Sequence, residues 1–241
     1  MENEKQKAYA TLQMMEDCFN HYLPSSGEVN KQVKAFVKNA RVEKHRRYNG
    51  SEGAFTAEYL IPGMNRFLID QMGFDAASAK ESLLTEKHRH FPDLASGTPA
   101  RAVRHPFKKT LTGKPKDIYA QWCGDSQGAQ LVQSCPDFAL VEPFPHKILF
   151  EAKYFSRGSL AKAQTELVTD IYQAFFYRGL PYSPPVRGGN VWDYDYACLY
   201  VFDASSTGVF KEAWEHLDAK VKRGFWAGAG LYVMILRGNG A

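Results

Sequence analysis

Residues 134–155, SCPDFALVEPFPHKILFEAKYF, contain two apolar runs that predict neighbouring β-strands joined by a proline-containing turn. Asp137 stands at the start of the first run, and Glu151 and Lys153 lie inside the second. Because alternate residues of a strand face the same side, Glu151 and Lys153 are predicted to share one face of a sheet. An unpaired charge in a buried strand costs on the order of 3 kcal/mol or more, so we expect these charges to have a partner, a metal or a function.

The residue types in this stretch suit one kind of chemistry. Asp137 and Glu151 supply hard oxygen donors of the kind that Mg²⁺ prefers, and Lys153 beside them would hold or deprotonate a water molecule. Phosphodiester hydrolysis needs a cation, a positioned water and stabilisation of the leaving oxygen. From the residues alone, the alternative is a structural ion pair between Glu151 and Lys153 at a sheet edge.

Pro136-Asp137 is followed, after thirteen residues, by Glu151-Ala152-Lys153. This pattern resembles the active-site signature of the PD-(D/E)XK nuclease superfamily, which includes most type II restriction endonucleases and several recombination and repair nucleases. The resemblance implies an α/β fold with a restriction-endonuclease-like core, in which a mixed central sheet is flanked by helices. Apolar periodicity adds N-terminal helices before this core. The resemblance also implies that Asp137, Glu151 and the backbone carbonyl of Ala152 bind Mg²⁺, with Mn²⁺ as a substitute, and that Lys153 assists the attacking water.

Two further features of the superfamily have candidates in this chain. Some branches carry Gln-x-x-x-Tyr on the helix after the lysine, which Gln173 and Tyr177 match, with Gln164 as a competing glutamine. Many members place a glutamate on a preceding helix to complete the metal site, a role that Glu58 fits and for which Glu52 is the alternative. The competing interpretation is that the glutamine and tyrosine only cover the core and that the glutamates lie on the surface.

Apolar periodicity predicts the remaining elements and a single domain over residues 1–241. Residues 1–50 form a helical extension with a basic helix, and residues 51–241 form the catalytic core. The predicted helices span residues 4–22, 29–48, 54–72, 159–178 and about 207–222. The predicted strands span residues 117–122, 138–142, 147–155, 196–203 and 230–238, and an irregular connector spans residues 88–116.

Positive charge is concentrated in two segments of a chain whose net charge is only +4. Residues 31–47 carry seven Lys or Arg and one acid, and residues 87–116 carry eight Lys or Arg and one acid. Clustered positive charge attracts phosphate, although a solvated basic face is the simpler explanation. With DNA as the expected partner, the candidate nucleic-acid contacts are Lys38, Arg41, Arg46, Arg47, Arg101, Arg104, Lys108 and Lys109.

The cysteines and the apolar runs indicate the compartment. The four cysteines lie far apart without a CxxC pair, which argues against a zinc knuckle and against a secreted disulfide framework. No apolar run approaches the roughly 20 residues that a membrane span needs, and the first ten residues are too polar for a signal peptide. We therefore expect a cytoplasmic protein with no membrane partner and no organic cofactor.

A rival constellation begins at GDSQG, residues 124–128, which matches the GxSxG nucleophile elbow. Ser126 would be the nucleophile, and Asp203 and His216 follow in the order that α/β-hydrolases use. However, the first 110 residues predict helices and loops rather than strands, and His216 falls inside a predicted helix. A serine hydrolase is therefore the remote alternative. Three other acids are predicted to be surface or loop residues without a role: Asp170, Asp193 and Asp195.

The interpretation that unites these features is a Mg²⁺-dependent deoxyribonuclease. A type II restriction-type endonuclease acting as a homodimer is the first choice, because cutting two strands at one site suits two-fold symmetry. The alternatives are a structure- or end-specific nuclease of phage or repair origin, and a subunit that binds nucleic acid without cutting it.

Overall fold

The computed structural model describes residues 2–42, 50–85, 137–179 and 194–238. In these ranges five strands form one sheet, and the helices pack around it. In chain order the elements are α1 (Glu2–Tyr22), α2 (Ser26–Val42), α3 (Gly50–Phe55), a π-helical turn (Thr56–Leu60), α4 (Ile61–Asp70), α5 (Ala76–Ser82), β1 (Leu83–Thr85), β2 (Phe138–Leu140), β3 (Ile148–Phe155), α6 (Leu160–Gly179), β4 (Tyr196–Asp203), α7 (Val209–Asp218), α8 (Phe225–Ala229) and β5 (Leu231–Leu236).

The sheet is mixed, and its strands lie in the order β1-β2-β3-β4-β5. The strand β2 runs antiparallel to both β1 and β3, whereas β3, β4 and β5 are parallel to one another. Parallel neighbours need a crossover, and α6 supplies it between β3 and β4, as α7 and α8 do between β4 and β5. The predicted α/β class with a mixed sheet and helices is confirmed.

Helices cover both faces of the sheet because alternate strand residues point to opposite sides. On one face Tyr200 and Phe202 pack with apolar residues of α1 to α5. On the other face Leu199 and Val201 pack with apolar residues of α6 and α7. This double burial explains why YACLYVFD, the whole of β4, is buried at every position.

The predicted strands at residues 138–142, 147–155, 196–203 and 230–238 are confirmed as β2 to β5, and the first and the last each end two residues earlier than predicted. The predicted helix at 54–72 divides into α3, the π-helical turn and α4, and Pro62 lies in the first turn of α4. The short elements α5, β1 and α8 were not predicted, because three to seven residues carry too little periodicity. The predicted strand at 117–122 and connector at 88–116 lie outside the described residues.

Phe55, the last residue of α3, joins the N-terminal helices to the sheet. It is fully buried, and its ring centroid lies 4.8 Å from that of Phe202 and 5.5 Å from that of Tyr154. We expect Phe55→Ala to lower the free energy of unfolding by about 3–5 kcal/mol, because it leaves a cavity under α3. Urea denaturation would measure the loss. The matched control is Phe225→Ala on α8, where the side chain is 51% exposed, and an equal loss in both variants would contradict this role of Phe55.

Candidate active site

Asp137 is fixed at the point where β2 and β3 part. Phe138, the first residue of β2, pairs with Phe150 of β3. The strand β3 continues beyond this pair to Phe155. There the backbone N–H of Ala152 donates a hydrogen bond to Oδ2 of Asp137, over 2.6 Å. This hydrogen bond holds the carboxylate beside β3.

Glu151 is the centre of the site. Its side chain is almost completely buried, and its Oε1 lies 2.8 Å from Nζ of Lys153. The same oxygen accepts a hydrogen bond from Nε2 of Gln173 on α6. Glu151 and Lys153 therefore meet on one face of β3, as their spacing in the strand predicts.

Two more carboxylates approach the ammonium group of Lys153. Oε2 of Glu52, on α3, lies 3.9 Å from Nζ, and Oδ1 of Asp170, on α6, lies 4.0 Å from it. The Lys153 side chain is only 13% exposed, so solvent screens these interactions weakly. One ammonium group therefore faces three carboxylates within 4 Å.

Burial, together with the excess of acids over cations, shifts the pKa of three groups in the cluster. Burial, opposed by Lys153 and reinforced by Glu151 and Glu52, raises the pKa of Asp170 to about 8. Burial, followed by repulsion from Glu151 and Glu52, also raises the pKa of Asp137 well above its usual range. Burial alone would lower the pKa of Lys153, but the surrounding carboxylates, Glu151 first, raise it above its usual value. The cluster is thus short of positive charge and retains protons near neutral pH.

The oxygen donors of the cluster suit a hard divalent cation in their chemistry. Within the described ranges, however, no group of three or more His, Cys, Asp or Glu side chains is arranged closely enough to hold a metal ion as the side chains stand. The pair that fits best is Asp137 and Glu151, because Glu151 is buried, Asp137 is half-buried, and the two carboxylates interact electrostatically. A role for the carbonyl of Ala152 stays a prediction.

The geometry separates the competing candidates. Glu52 approaches Lys153, whereas Glu58 lies in the π-helical turn next to Tyr59, so the geometry favours Glu52 as the helix acid. Gln173 contacts Glu151, whereas Gln164 is exposed on α6. The side chain of Tyr177 lies outside the described residues.

Asp170 is the site residue that sequence reasoning missed. The expectation of a surface acid was wrong, because Asp170 is only 6% exposed and faces Lys153. Its spacing held a usable signal: it lies three residues after Leu167 and three before Gln173, both buried on α6. An acid inside the apolar stripe of a helix is a candidate for a buried role.

The structure describes the side chain of one of the eight predicted nucleic-acid contacts. Lys38 is exposed on α2. The side chains of the other seven lie outside the described residues: Arg41, Arg46, Arg47, Arg101, Arg104, Lys108 and Lys109.

Asp203, the acid of the alternative serine-hydrolase site, makes hydrogen bonds of a structural kind. One carboxylate oxygen of Asp203 accepts hydrogen bonds from the backbone N–H groups that begin α7, including Phe210, and the other accepts from Ser205. His216 lies in the last turn of α7, roughly 9 Å along the helix axis from Phe210. The structure therefore favours a capping role for Asp203, and Ser126 lies outside the described residues.

Comparisons of the chain with protein-family models, with curated proteins and with solved structures find no match. The described helices include none that combines the length and the apolar character needed to cross a bilayer.

Asp195, one of the three acids without an assigned role, is exposed and accepts a hydrogen bond from the backbone N–H of Lys147. Asp193 lies outside the described residues.

The raised pKa of Asp170 predicts how stability changes with pH. Between its usual pKa and about 8, the unfolded chain releases this proton and the folded chain keeps it, so the free energy of unfolding falls as the pH rises through that window. Each pKa unit corresponds to about 1.4 kcal/mol. We therefore expect Asp170→Asn to stabilise the metal-free protein, and to do so by more at pH 8 than at pH 5.

Chemical denaturation in EDTA at both pH values would measure this difference. The matched control is Glu166→Gln, which removes a carboxylate one turn earlier on α6, where the side chain is 43% exposed. An equal effect of Asp170→Asn at pH 5 and pH 8 would contradict the assignment.

Proposed function

We propose that this protein hydrolyses phosphodiester bonds of DNA in a Mg²⁺-dependent reaction at the cluster around Lys153. The observation that carries the proposal is the contact of Lys153 with buried Glu151 beside Asp137, at the place where β2 and β3 part. Such a cluster in the interior costs stability, and an arrangement of this kind is typical of a functional site rather than of a structural ion pair.

The order of the elements also supports the proposal. A helix with an acid, α3 with Glu52, is followed by Asp137 directly before β2, by β3 with Glu151 and Lys153, and by α6. This is the order that the resemblance to the PD-(D/E)XK superfamily implies. A mixed sheet with helices on both faces is compatible with the restriction-endonuclease-like core that we propose for the chain.

In this proposal Asp137 and Glu151 hold the Mg²⁺. When bound, the ion polarises a phosphate oxygen and makes a bound water a better nucleophile. The cluster favours a cation at this position, because a cation offsets the burial and the repulsion from Glu151 that together raise the pKa of Asp137.

The chain's own residues position the reactants. The ammonium of Lys153 orients the attacking water and offsets negative charge on the phosphate, while the bond from the water oxygen to phosphorus forms and the bond from phosphorus to a sugar oxygen breaks. Glu52 and Asp170 keep Nζ of Lys153 in place. Gln173 fixes the carboxylate of Glu151 through its hydrogen bond.

Within this chemistry we propose a type II restriction-type endonuclease that acts as a homodimer, since two copies of one site suit two strands. The second candidate is a structure- or end-specific phage or repair nuclease. The contact between Gln173 and Glu151 favours it, because the Gln-x-x-x-Tyr pattern belongs to only some branches of the superfamily. Discrete fragments from a plasmid would indicate the first, and progressive loss of linear DNA the second.

The cleavage test compares Lys153→Ala with wild type on supercoiled, linear and single-stranded DNA. We expect wild-type cleavage with Mg²⁺, none with EDTA, and a rate about 100- to 1,000-fold lower in the variant, because it lacks the charge beside the reacting phosphate. The matched control is Lys162→Ala, an exposed lysine in the first turn of α6 that pairs with Glu166. A Lys153→Ala enzyme as active as the control would refute the assignment.

Metal binding can be tested without turnover. We expect Mg²⁺ to raise the free energy of unfolding by about 2.7 kcal/mol at a concentration 100-fold above its dissociation constant, and to do so more effectively at pH 8 than at pH 6, because the ligands must lose their protons. Thermal melting with Mg²⁺ or EDTA would measure the shift. The same shift in Glu151→Gln would place the ion elsewhere.

A further inference from the structure

We propose that an exposed row of lysines on α2 binds the sugar–phosphate backbone of the DNA duplex that enters the active site. The lysine row consists of Lys31, Lys34 and Lys38. The inference rests on the proposed function for the identity of the duplex, and it adds a binding surface outside the catalytic cluster.

The three lysines form a continuous cationic face. At 3.6 residues per turn, Lys31, Lys34 and Lys38 fall within about 60° of one another around the helix axis. All three side chains are exposed, whereas Val29 and Val33 on the opposite side are buried against the N-terminal core. The only acid of α2 is Glu28, three residues before Lys31, so the negative charge of this helix adjoins only the N-terminal end of the row.

The beginning of α2 is fixed to the elements that build the site. Oδ1 of Asn30 accepts a hydrogen bond from the hydroxyl of Tyr154, the residue after Lys153 on β3, over 3.1 Å. The side chain of Gln32 accepts another from Tyr59 in the π-helical turn. In addition, α2 packs on α3, and α3 packs on β3. The helix that carries the row is thus held rigidly against the helix that supplies Glu52.

The dimensions of the row match a nucleic-acid backbone. Seven residues separate Lys31 from Lys38, which is about 10 Å along the helix axis. One strand of B-DNA carries a phosphate every 3.4 Å or so along its axis, so a row of this length spans about three phosphates. Lysine contacts of this kind position a duplex without reading its sequence, which is what a cutting site needs beside it.

A second exposed cationic group provides a matched comparison. Lys220, Lys222 and Arg223 lie in the loop between α7 and α8, shortly before β5 begins. Because β5 is parallel to β4 and β4 to β3, this loop lies towards the starting ends of these strands, whereas Lys153 lies near the finishing end of β3. The loop group thus carries the same charge as the row but lies towards the end of the sheet away from Lys153.

The test measures duplex binding in EDTA, so that cleavage does not interfere. A fluorescein-labelled 30-base-pair duplex is titrated with wild type, with the Lys31→Gln, Lys34→Gln, Lys38→Gln triple variant and with the Lys220→Gln, Lys222→Gln, Arg223→Gln triple variant, at several salt concentrations. Each phosphate contact contributes about −0.9 to the slope of log K against log salt. We expect the row variant to lose about 2.7 units of slope, so that between 50 and 200 mM salt wild-type affinity falls about 40-fold more than that of the row variant.

The outcomes distinguish a failure of the lysine-row proposal from a failure of the nuclease proposal. A reduced slope in the row variant alone, with unchanged thermal melting, supports the surface, even if wild type cleaves no DNA with Mg²⁺ and the nuclease proposal fails. A slope equal to that of wild type overturns the surface, whatever the cleavage assay shows. Equal losses in both variants, no duplex binding by wild type, or binding of anionic lipid vesicles in place of the duplex would also overturn it.

Discussion

The ammonium group of Lys153 holds together carboxylates that would otherwise repel one another. It lies 2.8 Å from Glu151 and within 4 Å of Glu52 and Asp170, and burial keeps water from screening these charges. Burial, together with repulsion between the carboxylates, raises the pKa values of Asp137 and Asp170, so protons stay on the cluster. The metal-free cluster thus has more acidic groups than its one ammonium group can pair with, and a divalent cation would supply the missing positive charge.

The fold brings the charges together by drawing them from separate elements. Glu52 comes from α3, Asp137 from the bend before β2, Glu151 from β3 and Asp170 from α6. The hydrogen bond from the N–H of Ala152 is the local cause for Asp137, because it holds that carboxylate beside β3. Two hydrophobic cores, one on each face of the sheet, then fix the helices that complete the site.

The sequence alone predicted what depends on local periodicity. The strands β2 to β5 and the shared face of Glu151 and Lys153 follow from alternation along a strand, and the structure agrees. The burial of Asp170 could not be read with certainty, because it depends on how α6 is rotated against the sheet. The choice between Glu52 and Glu58 depends on the π-helical turn at Thr56–Leu60, which changes the phase of the helix and has no simple sequence signal.

The central claim is that this cluster binds a divalent cation between two carboxylates, and anomalous diffraction from crystals soaked in Mn²⁺ tests it most directly. Mn²⁺ takes the oxygen ligands that Mg²⁺ takes and gives an anomalous signal. We expect one strong peak in direct coordination with Asp137 and Glu151, and its loss in Glu151→Gln crystals. A cluster without a peak at saturating Mn²⁺, with Lys153 still bound to Glu151, would contradict the account.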